Sequence, residues 1–311
     1  MRKPDLRYGN VAWKAVSSES FMAYPMATVY VDIAKRLGLN FDATIRLLSH
    51  MPSFLSNQAH KESRRRLAQR ISEAKQTQET NVSEVIGGVI DKIDECGGSF
   101  DVLETVSEPV WIAISTALCP QAPAIPQAAV SVPELFNPYT SIRRRLVIND
   151  EIENILCQHD NSALDALALL SLGFRPLTGT IALSMHHLAS KHSGRRLSQI
   201  TYPSTFPVSA LSFVDRIAQS DGSVTEEGFN RGQRYRCVIF DESYQQADND
   251  RNIYGLGGHV CLGRSISQYM WNALCEGLMT CNTTIAPGTL QIGSTEPFTV
   301  PTTCKLHLSY D

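Results

Sequence analysis

The chain has 311 residues, 43% of them hydrophobic and 19% charged, which describes a globular protein able to bury a large core. A formal net charge of −3 gives no basis for expecting nucleic acid or an acidic membrane surface as a partner. The first residues, Met1-Arg2-Lys3-Pro4-Asp5, lack the apolar segment of a signal peptide, and no apolar run is read as a membrane span, so a cytoplasmic protein with no membrane segment is expected.

In chain order, residues 28–39 carry apolar positions at helical period and stop at Gly38-Leu39-Asn40, followed by a short helix over 43–50. A long basic helix is predicted over 58–75. A second, amphipathic helix over 83–96 stops at Gly97-Gly98. Residues 100–118 read as helix interrupted by Pro109, and the Pro- and Ala-rich stretch 119–138 as an ordered loop or a boundary between layers. A charged helix over 141–158 precedes the longest apolar helical segment, 163–187, whose length suggests that it crosses the middle of the molecule. Strands are predicted at 208–217 and 234–240. Helix returns over 264–281, and 283–310 reads as strands with turns at Pro287-Gly288 and Gly293. The fold class is therefore mainly α with small β-sheets (α+β), without internal repeats.

Eight cysteines show no CxxC pair and no zinc spacing, as expected of scattered reduced thiols. One of them stands apart. Residues 254–263 read Tyr254-Gly255-Leu256-Gly257-Gly258-His259-Val260-Cys261-Leu262-Gly263, a glycine-rich loop ahead of a helix. A thiolate that ligates a metal needs its charge stabilised, and closely packed backbone N–H groups at a helix N-terminus provide that. Glycine-rich loops before helices also bind phosphates or simply turn the chain. The spacing resembles the haem-binding loop of the cytochromes P450, with Tyr254 where that family usually has phenylalanine. The resemblance implies haem b (iron protoporphyrin IX), Cys261 as the axial ligand to iron, and Tyr254, Gly255, Gly257, His259 and Gly263 around the cofactor.

A buried haem has two propionates, which need basic partners from different elements. His60 and Arg64 stand at i and i+4 on one helix face and resemble the family's HxxxR, although a run such as Arg64-Arg65-Arg66 is usually a solvated face. Phe100-Asp101-Val102, followed by Pro109, resembles the segment that comes next in bacterial members. Phe213-Val214-Asp215-Arg216 resembles the strand whose arginine reaches a propionate; an exposed strand arginine is the plain alternative for Arg216. His259 completes the set of four.

The central helix carries Gly173-Phe174-Arg175-Pro176-Leu177-Thr178 where monooxygenase members have an acid–alcohol pair that delivers protons. An Arg-Pro pair here resembles the family's fatty-acid peroxygenases and decarboxylases, in which the arginine binds the substrate carboxylate. A guanidinium in an apolar helix should hold an anion, either a substrate or an internal Asp or Glu, and Pro176 frees a backbone carbonyl one turn earlier. Arg175, Pro176 and Thr178 are thus the expected catalytic residues, with Thr180 nearby.

The chain also departs from the family pattern. Arg195-Arg196-Leu197-Ser198-Gln199 stands where ExxR should precede Tyr202-Pro203, with no glutamate at the required spacing. Only 88 positions separate Gly173 from Cys261, the N-terminal sheet region (1–53) has little room, and the meander shrinks to 243–252. The expectation is one shortened P450-like haem domain over 1–311, oxidising a small organic substrate, with an anionic carboxylic acid as the candidate, by means of hydrogen peroxide or a redox partner. The alternative is a haem-binding protein without oxygenase activity: an isomerase, dehydratase, sensor or accessory partner. Apolar surface left by the shortening would suit a homodimer.

Overall fold

The computed structural model describes residues 4–95, 97–120, 122, 124–159, 161–219, 228–238, 253–255, 257–295 and 298–310. The meander expected over 243–252 lies outside them. The elements begin with β1 (Asp5–Arg7), α1 (Gly9–Ser17), β2 (Phe21–Ala23), α2 (Met26–Leu37), α3 (Asp42–Leu48) and α4 (Asn57–Glu95). Next come β3 (Gly98–Asp101), α5 (Glu108–Leu118), α6 (Ala124–Ser131), α7 (Ile142–Gln158) and α8 (Asn161–Lys191). The last are β4 (Arg195–Arg196), β5 (Phe213–Ala218), β6 (Arg234–Val238), α9 (Arg264–Leu278), β7 (Thr284–Thr295) and β8 (Phe298–Ser309).

The chain divides into two compact units. The first comprises Met1–Gln69, Ala124–Leu172 and Leu211–Leu262; the second comprises Arg70–Pro123, Gly173–Ala210 and Gly263–Asp311.

The first unit contains a four-stranded sheet in the order β1-β6-β5-β2, with β1 parallel to β6 and the other pairs antiparallel. Alternation along β5 and β6 sends one set of side chains to the core. Cys237 and Tyr235 pack there with Phe21, Ala218 and Phe229 against Ala12, Ala15 and Val16 of α1. Phe229 stacks edge-on to both Phe21 and Tyr235, at 4.8 Å between ring centroids in each case. In the same unit α2 ends where Gly38 adopts the left-handed conformation (φ 65°) that side chains resist. Ser141 caps α7 by accepting from the Arg144 N–H.

The stretch 119–138, expected to be a loop, forms α6 and a 3₁₀ turn at Val132–Phe136. Pro126 is tolerated in the first turn of α6, where its missing N–H costs nothing. Buried Arg145 organises the approach to α7, donating to the carbonyls of Thr140 (2.9 Å) and Asn137 (2.8 Å) and to the Tyr30 hydroxyl (2.8 Å). That hydroxyl in turn donates to the carbonyl of Leu135.

The second unit has its own sheet, β3-β8-β7-β4, all antiparallel. The turns expected at Pro287-Gly288 and Gly293 are absent, because both sites lie inside β7. They mark irregular register and close approach instead. A Cβ at Gly288 would meet the Lys305 carbonyl at 2.7 Å, and one at Gly293 would meet Thr302 Cγ2 at 2.7 Å. Residues 100–118 are likewise not one helix, since Phe100 and Asp101 extend β3, a π turn comes next at Leu103–Ser107, and Pro109 opens α5.

The two helices expected over 58–75 and 83–96 are a single 39-residue helix, α4. No glycine or proline interrupts 76–82, and Gln78 and Val82 are buried there. The apolar segment 163–187 extends to α8. Contrary to the expectation from the sequence, α8 has the length and hydropathy of a membrane span over Ser162–Lys191; 61% of its most apolar stretch is buried within the protein.

Candidate functional site

The Cys261 loop belongs to the first unit. Tyr254 is buried, and its carbonyl accepts the Cys261 N–H at 2.6 Å, closing the loop on itself. Gly255 makes the turn with φ 77°, and a Cβ there would press on the His259 carbonyl at 3.0 Å, so the position requires glycine. A 3₁₀ turn at Gly257–His259 then presents His259 and leaves Cys261 exposed. Gly263 is the N-cap residue of α9.

Accessibility separates Cys261 from the structural thiols. Burial pushes Cys237, Cys275 and Cys304 up to about 12 and Cys281 to about 11, which keeps them protonated. Burial raises Cys119 as well. Among the described cysteines only Cys157 and Cys261 are exposed.

Four basic side chains gather beside this loop. His60 and His259 place their rings 4.4 Å apart. Arg64, one turn along α4 from His60, donates to the Val260 carbonyl at 2.7 Å and so holds the residue next to Cys261. Arg216, on β5, is 5% exposed. Burial and the positive charges of Arg216, His60 and Arg64 hold His259 down at about 3. Burial, Arg64, Arg216 and Lys61 lower His60 too, and burial lowers both Arg64 and Arg216.

Among the described residues, none of the four pairs with a carboxylate. The adjacent acid, Asp215, points the other way along the alternating strand, where its carboxylate takes Arg236 (3.2 Å) and Arg234. His60 Nε2 is buried without a hydrogen-bond partner. Two arginines and two neutral imidazoles, one of them with an orphaned ring nitrogen, are donors that an anion can use.

Arg175, Pro176 and Thr178 lie in the second unit. α8 runs unbroken through Pro176. The Arg175 guanidinium sits 5.3 Å from the Phe174 ring centroid, and that ring packs on Trp111 at 5.3 Å. The Thr178 hydroxyl donates to the Phe174 carbonyl at 2.8 Å, while that of Thr180 accepts the Ala210 N–H at 3.0 Å. Both alcohols thus serve the backbone.

Sequence reasoning missed two features. Asp215 is the counter-ion of Arg234 and Arg236, a pairing across neighbouring strands that only the register reveals. The second is in α9, where Trp271 donates to the Pro203 carbonyl at 3.0 Å and Gln268 donates to that of Ser204.

No protein-family model and no curated protein matches the chain. Solved structures do. P450BioI, solved in complex with hexadec-9Z-enoic acid ligated acyl carrier protein, superposes with a TM-score of 0.73 at 12% identity, over 96% of this chain and 90% of that one. An unusual cytochrome P450-like monooxygenase of microbial secondary metabolism gives 0.71 at 14% identity, over 97% and 92%. CYP109B1 from Bacillus subtilis gives 0.66 at 13% identity, over 96% and 91%. At such identities the likeness speaks for architecture and not for activity. The chain has the cytochrome P450 fold.

Proposed function

We propose that the chain is a haem-thiolate oxidoreductase that binds haem b through Cys261 and acts on a small organic acid. The observation that carries this reading is the cluster of His60, Arg64, Arg216 and His259 beside the exposed Cys261 thiol, without a pairing carboxylate among the described residues. The donor set fits the cofactor: a thiolate for iron and four basic groups for two propionates. Tyr254, Gly255, Gly257 and Gly263 shape the loop that would lie along the porphyrin.

A haem held by the Cys261 thiolate would supply the redox chemistry, and thiolate ligation would favour O–O cleavage. The protein's own residues then bind and orient. Arg64 holds the Val260 carbonyl, and its remaining donors would serve a propionate. Arg216, anchored by a bond to the Asp215 carbonyl at 3.0 Å, supplies a buried cation.

Arg175 would hold a substrate carboxylate. With the Thr178 hydroxyl bonded to Phe174, the acid–base work falls to that carboxylate, which suits hydrogen peroxide as co-substrate. Dioxygen with two electrons from a redox partner and two protons is the other source of the same oxidising power. The acyl group in the P450BioI complex is in keeping with an acid or acyl substrate, presented either free or on a carrier.

A second reading, a haem-binding isomerase, dehydratase, sensor or accessory protein, is favoured by the engaged hydroxyls of Thr178 and Thr180. Incubation of the haem-loaded protein with hydrogen peroxide and medium- to long-chain carboxylic acids separates the two. Oxidised or decarboxylated products support the first reading. Haem loading with no product, either with peroxide or with dioxygen and a ferredoxin-type electron source, supports the second.

A further inference from the structure

α7 lies wholly in the first unit and turns Ile148, Ile152 and Ile155 inward. Helical spacing then puts Arg143, Leu146, Val147 and Asp150 on the opposite face. Arg143 and Asp150 are exposed, Leu146 is half-buried and Val147 is 43% exposed. Just ahead of the helix, Tyr139 is the most open large apolar side chain among the described residues, at 86%.

The charges of this helix run against its dipole. Arg143, Arg144 and Arg145 fill the first turn, where the positive end of the helix disfavours cations. Two of them are compensated nearby. Arg144 pairs with Glu134 at 2.8 Å and with Glu151 at 3.6 Å, and Arg145 donates to two carbonyls and a hydroxyl. Arg143 has no ion pair among the described residues, and neither has Asp150. The two lie two turns apart on one helix, roughly 10 Å by rise, and do not pair with each other.

A second copy laid antiparallel supplies both missing partners at once. The two-fold axis that sets Leu146 of one copy beside Val147 of the other also sets Arg143 of each against Asp150 of the other, because both pairs straddle the same midpoint of α7. It brings Tyr139 over Asn154, an exposed position of the other copy. A two-fold contact repeats every such pair, so each attraction counts twice. We propose that this face of α7 is the contact between two copies of the chain, apolar at the axis and closed by an Arg143–Asp150 ion pair on either side. One helix face and the turn ahead of it are small beside the roughly 1,600 Å² of a standard stable interface, so the dimer is a reversible one. The contact does not depend on the haem-thiolate reading.

Sedimentation equilibrium of the full chain tests it, over the micromolar range and under reducing conditions, so that exposed Cys157 and Cys261 form no disulfide. The wild type should pass from monomer to dimer with concentration and go no further, and added salt should weaken the dimer. Arg143→Asp and Asp150→Arg each turn both ion pairs into like-charge contacts and should weaken dimerisation by roughly tenfold, while the two changes together should restore it. Val147→Asp should abolish it. These side chains are exposed, so far-UV circular dichroism and the urea midpoint of the monomer should stay at wild-type values. A chain that is monomeric throughout overturns the inference and leaves the face to a partner of another kind. A dimer insensitive to both single reversals, or a double variant as weak as either single one, overturns it as well.

Discussion

Arg64 donates to the carbonyl of Val260 across 2.7 Å and 196 residues of chain. A helix near the N-terminus thus grips the residue beside the cysteine thiol, and the same helix turn presents His60 to His259. The protein itself brings these four basic groups together, and crowding them carries a cost.

That cost gives a prediction of opposite signs. Arg216 is nearly inaccessible, and breaking a buried ion pair typically costs about 3–5 kcal/mol. Arg216→Met should weaken haem affinity by roughly a hundredfold or more. In the haem-free protein the same change removes a buried charge that no described carboxylate pairs and should leave stability unchanged or raise it. Arg64, only half-buried, should show a smaller loss of haem affinity in Arg64→Ala. Haem titration and urea unfolding of each variant measure both effects.

Acidification should destabilise the haem-free protein through His60. Its folded form resists protonation, because burial and the charges of Arg64 and Arg216 lower its pKa below the usual 6.5. The unfolded chain therefore binds the proton first as pH falls, so the stability is present above pH 6.5 and is lost below it. His60→Gln should flatten the pH dependence of the urea midpoint below that value. Bound haem should flatten it too, since anionic propionates favour the protonated imidazole. An identical slope in His60→Gln would assign the acid sensitivity to other groups.

The sequence was most legible where a signal is contiguous. The ten residues from Tyr254 to Gly263 carry the resemblance to a thiolate loop in one stretch, and the Gly38 stop and the Ser141 cap mark helix ends by local chemistry alone. Periodicity puts His60 and Arg64 on one helix face, yet only a family resemblance brought Arg216 into the set, because strand register is a long-range property. The continuity of α4 was hidden by the polar run 76–82, which has no apolar stripe but still buries Gln78 and Val82. Pro287-Gly288 looked like a turn because close approach to Lys305 demands the same residue that a turn does. The bonds from Trp271 to Pro203 and from Gln268 to Ser204 had no sequence signal, as they end on backbone carbonyls.

Two glycine substitutions should separate constraint from propensity. Gly255→Ala meets both a left-handed φ and the His259 carbonyl, and should weaken haem binding and lower stability by about 1–3 kcal/mol. Gly87→Ala, on an exposed face of α4 with open space around the new methyl, should stabilise by about 0.5–1 kcal/mol and leave haem binding alone. Thermal unfolding with and without haem tests the pair, and equal effects would show that Gly255 is not a site constraint.

Arg175→Leu tests the anion reading. Weaker carboxylic-acid binding, seen as loss of the acid-induced spectral shift, and suppressed peroxide turnover are expected, with haem content preserved. Release of haem or a loss of fold in Arg175→Leu would mean instead that the guanidinium balances a charge of the protein or of the cofactor.

The most direct test of the haem-thiolate account is the absorption spectrum of the reduced carbonyl complex in the wild-type protein and three cysteine variants. The expected result is the red-shifted Soret band of thiolate-ligated iron in the wild type, retained in Cys275→Ala and Cys281→Ala, whose parent thiols are buried and protonated. Cys261→Ala should abolish it. A thiolate band that survives in Cys261→Ala, or a wild-type protein that takes up no haem, would contradict the account.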